Sequence, residues 1–176
     1  ILHIKLIMHN RKRNRLNEFD YRQGFWYFVT ICVKGMQPYF GRIEKAKLIL
    51  NEYGKIVEER WKALSEKYES VYLDKFVVMS NHFHGIITFD NNVGTTHELS
   101  LQTSEKIKSL SHYIGEFKMQ SSKQIHQNGL TQFKWQRSFY DRIIRNEKEL
   151  HRIREYIEEN PLRWEIGKGF VDNLEL

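Results

Sequence analysis

The chain's 176 residues are 40% hydrophobic with two prolines and ten glycines, which suits one compact domain with a substantial core. Its apolar runs stop well short of the roughly 18 residues of a membrane span, its mixed first residues do not read as a secretory signal, and its lone cysteine, Cys32, excludes an internal disulfide. Membrane-embedded and disulfide-stapled classes are thereby disfavoured and a cytoplasmic protein is expected, while 28 Lys and Arg against 22 Asp and Glu, a net charge of +6, favour a polyanionic partner.

No internal repeat stands out. The single domain is expected over residues 8–176, with Met8 as the natural start and residues 1–7 as upstream or added sequence. Arg11, Lys12, Arg13 and Arg15 form a basic arm. Residues 25–33, rich in aromatic and β-branched side chains from Phe25 to Val33, predict the first strand, with Cys32 buried in it. A loop around Gly35, Pro38 and Gly41 follows. From Ala46 to Tyr68 the apolar positions Leu48, Ile49, Tyr53, Ile56, Val57, Trp61 and Leu64 recur at helical spacing despite Gly54, which predicts the first helix. Residues 71–79 and 83–89 predict a β-hairpin, and the polar stretch 90–96 a mobile loop.

Ile107, Leu110, Tyr113, Ile114 and Phe117 predict a second helix over about 104–127. Residues 133–144 predict another strand. Along it Lys134, Arg137, Arg142 and, just beyond, Arg145 interleave with Trp135, Phe139 and Tyr140, a mixture that suits phosphate contacts with stacking on unpaired bases and equally a solvated strand edge with core aromatics. The last helix opens at Asn146, an N-cap with Glu149 three residues on, and is expected to close at Asn160-Pro161, because proline pushes its predecessor out of the helical region. Two helices crossing one antiparallel sheet make a ferredoxin-like α+β fold.

Two fragments carry chemistry. In His82-Phe83-His84 on a strand, the histidines point the same way, about 7 Å apart by the strand rise, and can converge on one metal ion. Phe83, Gly85, Ile87 and Phe89 face the other side. On the last helix Tyr156 and Asn160, four residues apart, share a face beside the apolar stripe of Leu150, Ile153 and Ile157, so the Tyr156 ring can pack while its hydroxyl stays accessible. Taken singly, each fragment also fits a bland reading: two surface imidazoles, and a boundary tyrosine with a helix terminator. His112, His126 and His151 show no comparable spacing and are expected on surface or helix faces.

Together these segments resemble the single-tyrosine HUH transposases of the IS200/IS605 type, in the REP-associated branch. The matching residues are His82-Phe83-His84 after Val78-Met79-Ser80-Asn81, the run Tyr156-Ile157-Glu158-Glu159-Asn160-Pro161, the strand Tyr27-Phe28-Val29-Thr30-Ile31-Cys32, and the segment from Trp135 to Asn146. In order and spacing they span roughly residues 11–164. The resemblance implies cleavage and rejoining of single-stranded DNA near hairpins. Tyr156 would attack a backbone phosphate to leave a 5′-phosphotyrosine and a free 3′-hydroxyl, and Mg²⁺ or Mn²⁺ would be held by His82, His84 and a third polar ligand at Asn160, where the family often has glutamine. The basic residues named above would contact DNA, and a homodimer is compatible with the family. Two rival readings stand beside it: a non-catalytic nucleic-acid-binding sheet that stacks bases on the first-strand aromatics, and a nuclease that hydrolyses DNA with water.

Overall fold

The computed structural model describes residues 25–89 and 108–167. The arm with Arg11, Lys12, Arg13 and Arg15, the loop at 90–96 and the start expected for the second helix lie outside the described residues. In chain order the elements are β1 (Trp26–Cys32), β2 (Gly41–Glu44), β3 (Lys47–Leu50), α1 (Glu52–Lys67), β4 (Val71–Val78), β5 (His82–Phe89), α2 (Leu110–Gln127), β6 (Tyr140–Ile144) and α3 (Glu147–Glu165). The main sheet runs β4-β5-β1-β6 with every pair antiparallel, and β2 and β3 form a separate hairpin. This is the expected ferredoxin-like α+β arrangement with one hairpin added.

Side-chain alternation along the strands gives the sheet two different faces. Tyr27, Val29, Ile31, Phe83, Ile87 and Phe89 pack with Trp61 of α1 and Phe117 of α2 in the larger core. On the other face Phe28, Ile86 and Ile144 pack against Leu150, Ile153, Tyr156 and Ile157 of α3. Cys32 is buried as expected, and burial pushes its thiol up to about 11. Among the described helices, the third thus covers the face that carries both histidines.

Three local expectations are corrected. The first helix starts at Glu52, capped by the Asn51 side chain accepting from the Gly54 N–H, and Leu48 and Ile49 belong to β3. The hairpin escaped the sequence because its turn residues, Lys45 and Ala46, take φ of 50° and 56° without the glycine or asparagine such a turn favours. The Ala46 N–H is held at 2.7 Å by the Glu165 carboxylate, so a contact across 119 residues supports that turn. Gly54 is needed for close approach: a Cβ there would lie 2.2 Å from the Phe40 carbonyl oxygen.

The strand expected over 133–144 is confined to Tyr140–Ile144, preceded by an isolated bridge from Trp135 to Val33. Between them Lys118 Nζ donates to the Gln136 and Arg137 carbonyls, backbone groups that a ladder would otherwise pair, and Trp135 Nε1 donates to Ser121 Oγ. Finally, α3 runs through Pro161 to Glu165 rather than closing at Asn160. Proline forfeits one helical hydrogen bond, while α3 stays fastened to the sheet by Arg154 on Asp74 at 2.6 Å and by Lys75 on Glu158. The Asn146 cap is as expected, accepting from the Glu149 N–H at 2.9 Å, but the Glu149 carboxylate reaches back to the Arg145 N–H instead of its own cap residue.

Candidate active site

The β4–β5 connection sets the histidines. Met79 N–H donates to the His82 carbonyl, while the Ser80 and Asn81 carbonyls accept from Phe40 and Val33, fixing a tight turn that starts β5 at His82. His82 pairs with Cys32, and His84 with Thr30 on one side and Val77 on the other. Both imidazoles are 1% exposed, and their ring centroids lie 4.7 Å apart at 77°, closer than the backbone spacing because the rings converge. Phe83 and Ile87 face the opposite core, as expected.

Each imidazole is held by its Nδ1. The Asn81 amide donates Nδ2 to the Met36 carbonyl at 3.2 Å, which turns its Oδ1 toward His82 Nδ1 at 2.7 Å. An amide oxygen can only accept, so His82 carries its proton on Nδ1 and its lone pair on Nε2. Thr30 Oγ1 lies 2.8 Å from His84 Nδ1 and fixes that ring's orientation, a hydroxyl being able to donate or to accept there. Neither Asn81 nor Thr30 was singled out from the sequence for this role. Asn81 was visible only as the neighbour of the motif, and Thr30 meets His84 only through strand pairing.

Tyr156, Asn160 and Trp164 lie four residues apart along one face of α3. Tyr156 Oη is 3.5 Å from His84 Nε2, and its ring packs edge-on against Phe28 with centroids 6.0 Å apart. The Arg163 guanidinium lies 5.8 Å from the Tyr156 ring centre while donating to Glu159 at 2.9 Å. Trp164 packs against His82 at 5.4 Å. Asn160, between the residue that reaches His84 and the one that reaches His82, is 0% exposed, and among the described residues neither its Oδ1 nor its Nδ2 has a hydrogen-bond partner. Tyr156 is more enclosed than its sequence position suggested, at 8% exposure, with its hydroxyl turned to His84 rather than to solvent. All these groups come from one chain.

Burial pushes His82 down to about 4 and His84 well below the usual imidazole range, the latter also through the nearby His82 charge. Both rings are therefore neutral at pH 7, as metal ligation requires. The sign of the pH effect follows. Between about pH 6.5 and 4 the unfolded chain binds protons that the folded chain refuses, so stability rises with pH through that window and is complete above it. In EDTA, the urea midpoint is expected to fall as pH drops from 7 to 5. A midpoint that rises or stays flat over that range would mean the rings accept protons in the fold.

The other predicted cations divide. Lys134 and Arg137 are exposed in the segment before β6, Arg145 is exposed at the far end of that strand, and Arg142 is half-buried, donating to Glu149 at 2.7 Å. The Lys34 N–H donates to the Lys134 carbonyl, which sets the exposed Lys34 beside Lys134 in the fold, a neighbour the sequence did not reveal. His112 and His151 meet Glu116 and Glu155 on their own helices, and His126 meets the Phe133 carbonyl, as surface and helix-face residues do. Of the aromatics Phe25 to Phe28, Tyr27 and Phe28 are buried and offer no face to a base, whereas Phe25 is 38% exposed and Trp26 half-buried.

Among the described residues no three His, Cys, Asp or Glu side chains converge on a possible metal position. The chemistry of a different donor set, two neutral imidazoles and the buried amide oxygen of Asn160, suits a divalent ion.

No helix among the described residues is long and apolar enough to cross a membrane. No protein-family model matches the chain. An uncharacterised protein of Haemophilus influenzae is 36% identical over 172 residues, covering 94% of this chain and 96% of that one. The solved structure of a REP-associated tyrosine transposase bound to a REP hairpin superposes at a TM-score of 0.55, covering 88% of this chain and 75% of that one at 18% identity. The chain belongs to one family with the Haemophilus influenzae protein, and it shares the fold of that REP-associated tyrosine transposase.

Proposed function

We propose that this protein cuts and rejoins single-stranded DNA beside hairpins, with Tyr156 as nucleophile and a covalent 5′-phosphotyrosine intermediate. The observation that supports it most is the approach of Tyr156 Oη to 3.5 Å from His84 Nε2 within one chain, beside a buried amide with no partner. In the step, Oη bonds to phosphorus as the bond from phosphorus to the 3′ oxygen breaks. The phenol gives up one proton and the departing 3′ oxygen takes up one. Because the new bond is again a phosphodiester, a 3′-hydroxyl can reverse the step and join strands without a nucleotide cofactor.

His82, His84 and Asn160 are the residues that would hold Mg²⁺ or Mn²⁺. Such an ion, when bound, supplies Lewis-acid polarisation of the phosphate. The protein's own contribution is position. Tyr156 rides on a helix anchored by Leu150, Ile153 and Ile157 and by two ion pairs from α3 to β4, so its phenol is ordered before DNA arrives. Arg11, Lys12, Arg13, Arg15, Lys134, Arg137 and Arg145 are assigned to the DNA backbone, and Arg142 to holding Glu149. A hairpin substrate is supported by the REP hairpin bound to the fold relative. In this arrangement Tyr156 acts on the histidines of its own chain, and cytoplasmic DNA is the expected target.

The test is a denaturing gel of the protein with labelled hairpin oligonucleotides bearing single-stranded flanks, drawn from DNA around its own gene, in Mn²⁺ or EDTA. A covalent protein–DNA band in Mn²⁺ that vanishes in EDTA is expected. Cleaved ends without an adduct would replace this reading by hydrolysis, and binding without cleavage across such a panel would replace it by a recognition module.

A further inference from the structure

One row of paired residues crosses the whole sheet on the histidine face: Val77 on β4, His84 on β5, Thr30 on β1 and Tyr140 on β6. Directly paired residues project to the same side of an antiparallel sheet, so Tyr140 shares the face of His84, two strands and therefore about 10 Å away. Among the described residues β6 is an edge strand, with β1 on one side and no strand on the other. The aromatic rings nearer the histidines are already engaged: Phe28 stacks on His84, Tyr156 approaches His84, and Trp164 packs on His82. Tyr140 differs. It is 49% exposed, and among the described residues its side chain makes no ring contact, hydrogen bond or ion pair. The exposed cations Lys134 and Arg137 lie in the segment that leads into it.

We infer that Tyr140 is a base-stacking platform that holds one unpaired nucleotide of the DNA strand beside the scissile phosphate; the inference rests on the single-stranded DNA reading above. A strand whose phosphate sits at His84 and which leaves along the row passes over the small Thr30 and meets Tyr140 next. Every base offers a π-face, so such a platform selects unpaired over paired DNA without reading sequence, and it requires an aromatic ring but no hydroxyl. The buried aromatics of β1 do not provide such a platform. The edge residue of the site's own row does.

A second exposed tyrosine provides an internal control. Tyr72, on the other edge strand, is 47% exposed and pairs with Thr88, four residues along β5 from His84 and so about 13 Å from the active row. The experiment measures binding in EDTA, by fluorescence anisotropy, of a hairpin oligonucleotide with single-stranded flanks and of a series in which each flank nucleotide in turn is abasic. Tyr140→Ala is expected to weaken binding roughly 5- to 100-fold, the scale of one base stacked on one ring. Tyr140→Leu, which keeps apolar bulk without a π-face, should behave like the alanine variant, and Tyr140→Phe and Tyr72→Ala like the wild type. At one flank position the abasic substitution should cost the wild type that same factor and cost Tyr140→Ala nothing further.

A Tyr140→Ala protein that binds within twofold of wild type, or that pays the full abasic penalty at every position, overturns the inference, as does a Tyr140→Leu protein that binds normally. If the wild type forms the Mn²⁺-dependent adduct while Tyr140 proves neutral, only the platform falls. If the wild type neither binds the flanks nor forms the adduct, the parent reading falls with it.

Discussion

Tyr156→Phe is expected to remove the covalent adduct and all strand joining, lowering cleavage at least about 10³-fold, the scale on which deleting a covalent nucleophile acts, while DNA binding stays within about twofold. The substitution takes away one atom. The ring keeps its edge-on packing against Phe28 and its place in the cluster with Ile86, Leu150 and Ile153, so the fold should lose no more than about 1 kcal/mol. The oxygen removed is the one 3.5 Å from His84 Nε2. Activity and stability are thus separated in a single variant, with the gel reading one and a urea melt the other. Cleavage that survives at wild-type rate would assign the attack to water and leave Tyr156 a packing residue.

The parts of this site legible in the sequence were those governed by short-range periodicity. Alternation on a strand placed His82 and His84 on one side, and a spacing of four on a helix placed Tyr156 with Asn160. What periodicity could not supply was anything decided by strand order. Thr30 lies 54 residues from His84 and becomes its partner only because β1 and β5 are neighbours, and Tyr140 enters the same row only because β6 lies beside β1. The continuation of α3 past Pro161 was hidden for a related reason. Local preference argues for a break there, whereas the contacts of Trp164 with His82 and of Glu165 with the β2–β3 turn are tertiary. The lysine-alanine turn of that hairpin is the clearest case, since its backbone conformation runs against its residue types and is answered by a carboxylate from the far end of the chain.

Asn160→Leu is expected to leave the metal-free protein as stable as wild type or more stable by about 1–2 kcal/mol, and to weaken Mn²⁺ binding at least about 10-fold. The reasoning starts from a cost. An amide that is fully buried with neither of its polar atoms paired has lost its water without compensation, and a leucine of similar shape carries no such penalty. A chain selected for stability alone would not keep asparagine there, and sites where a local rule is broken without a compensating contact are where function is expected. The asparagine lies on the helix face between Tyr156 and Trp164, whose rings reach His84 and His82, and its oxygen is the third ligand proposed above beside the two imidazoles. Asn160→Gln, one methylene longer, keeps an amide oxygen on that face and should retain Mn²⁺ binding where leucine loses it. The two measurements are a urea melt in EDTA and a Mn²⁺ titration followed by electron paramagnetic resonance. A leucine variant that melts well below wild type and still binds Mn²⁺ as tightly would make the amide a structural residue and leave the two histidines without a third protein ligand from α3.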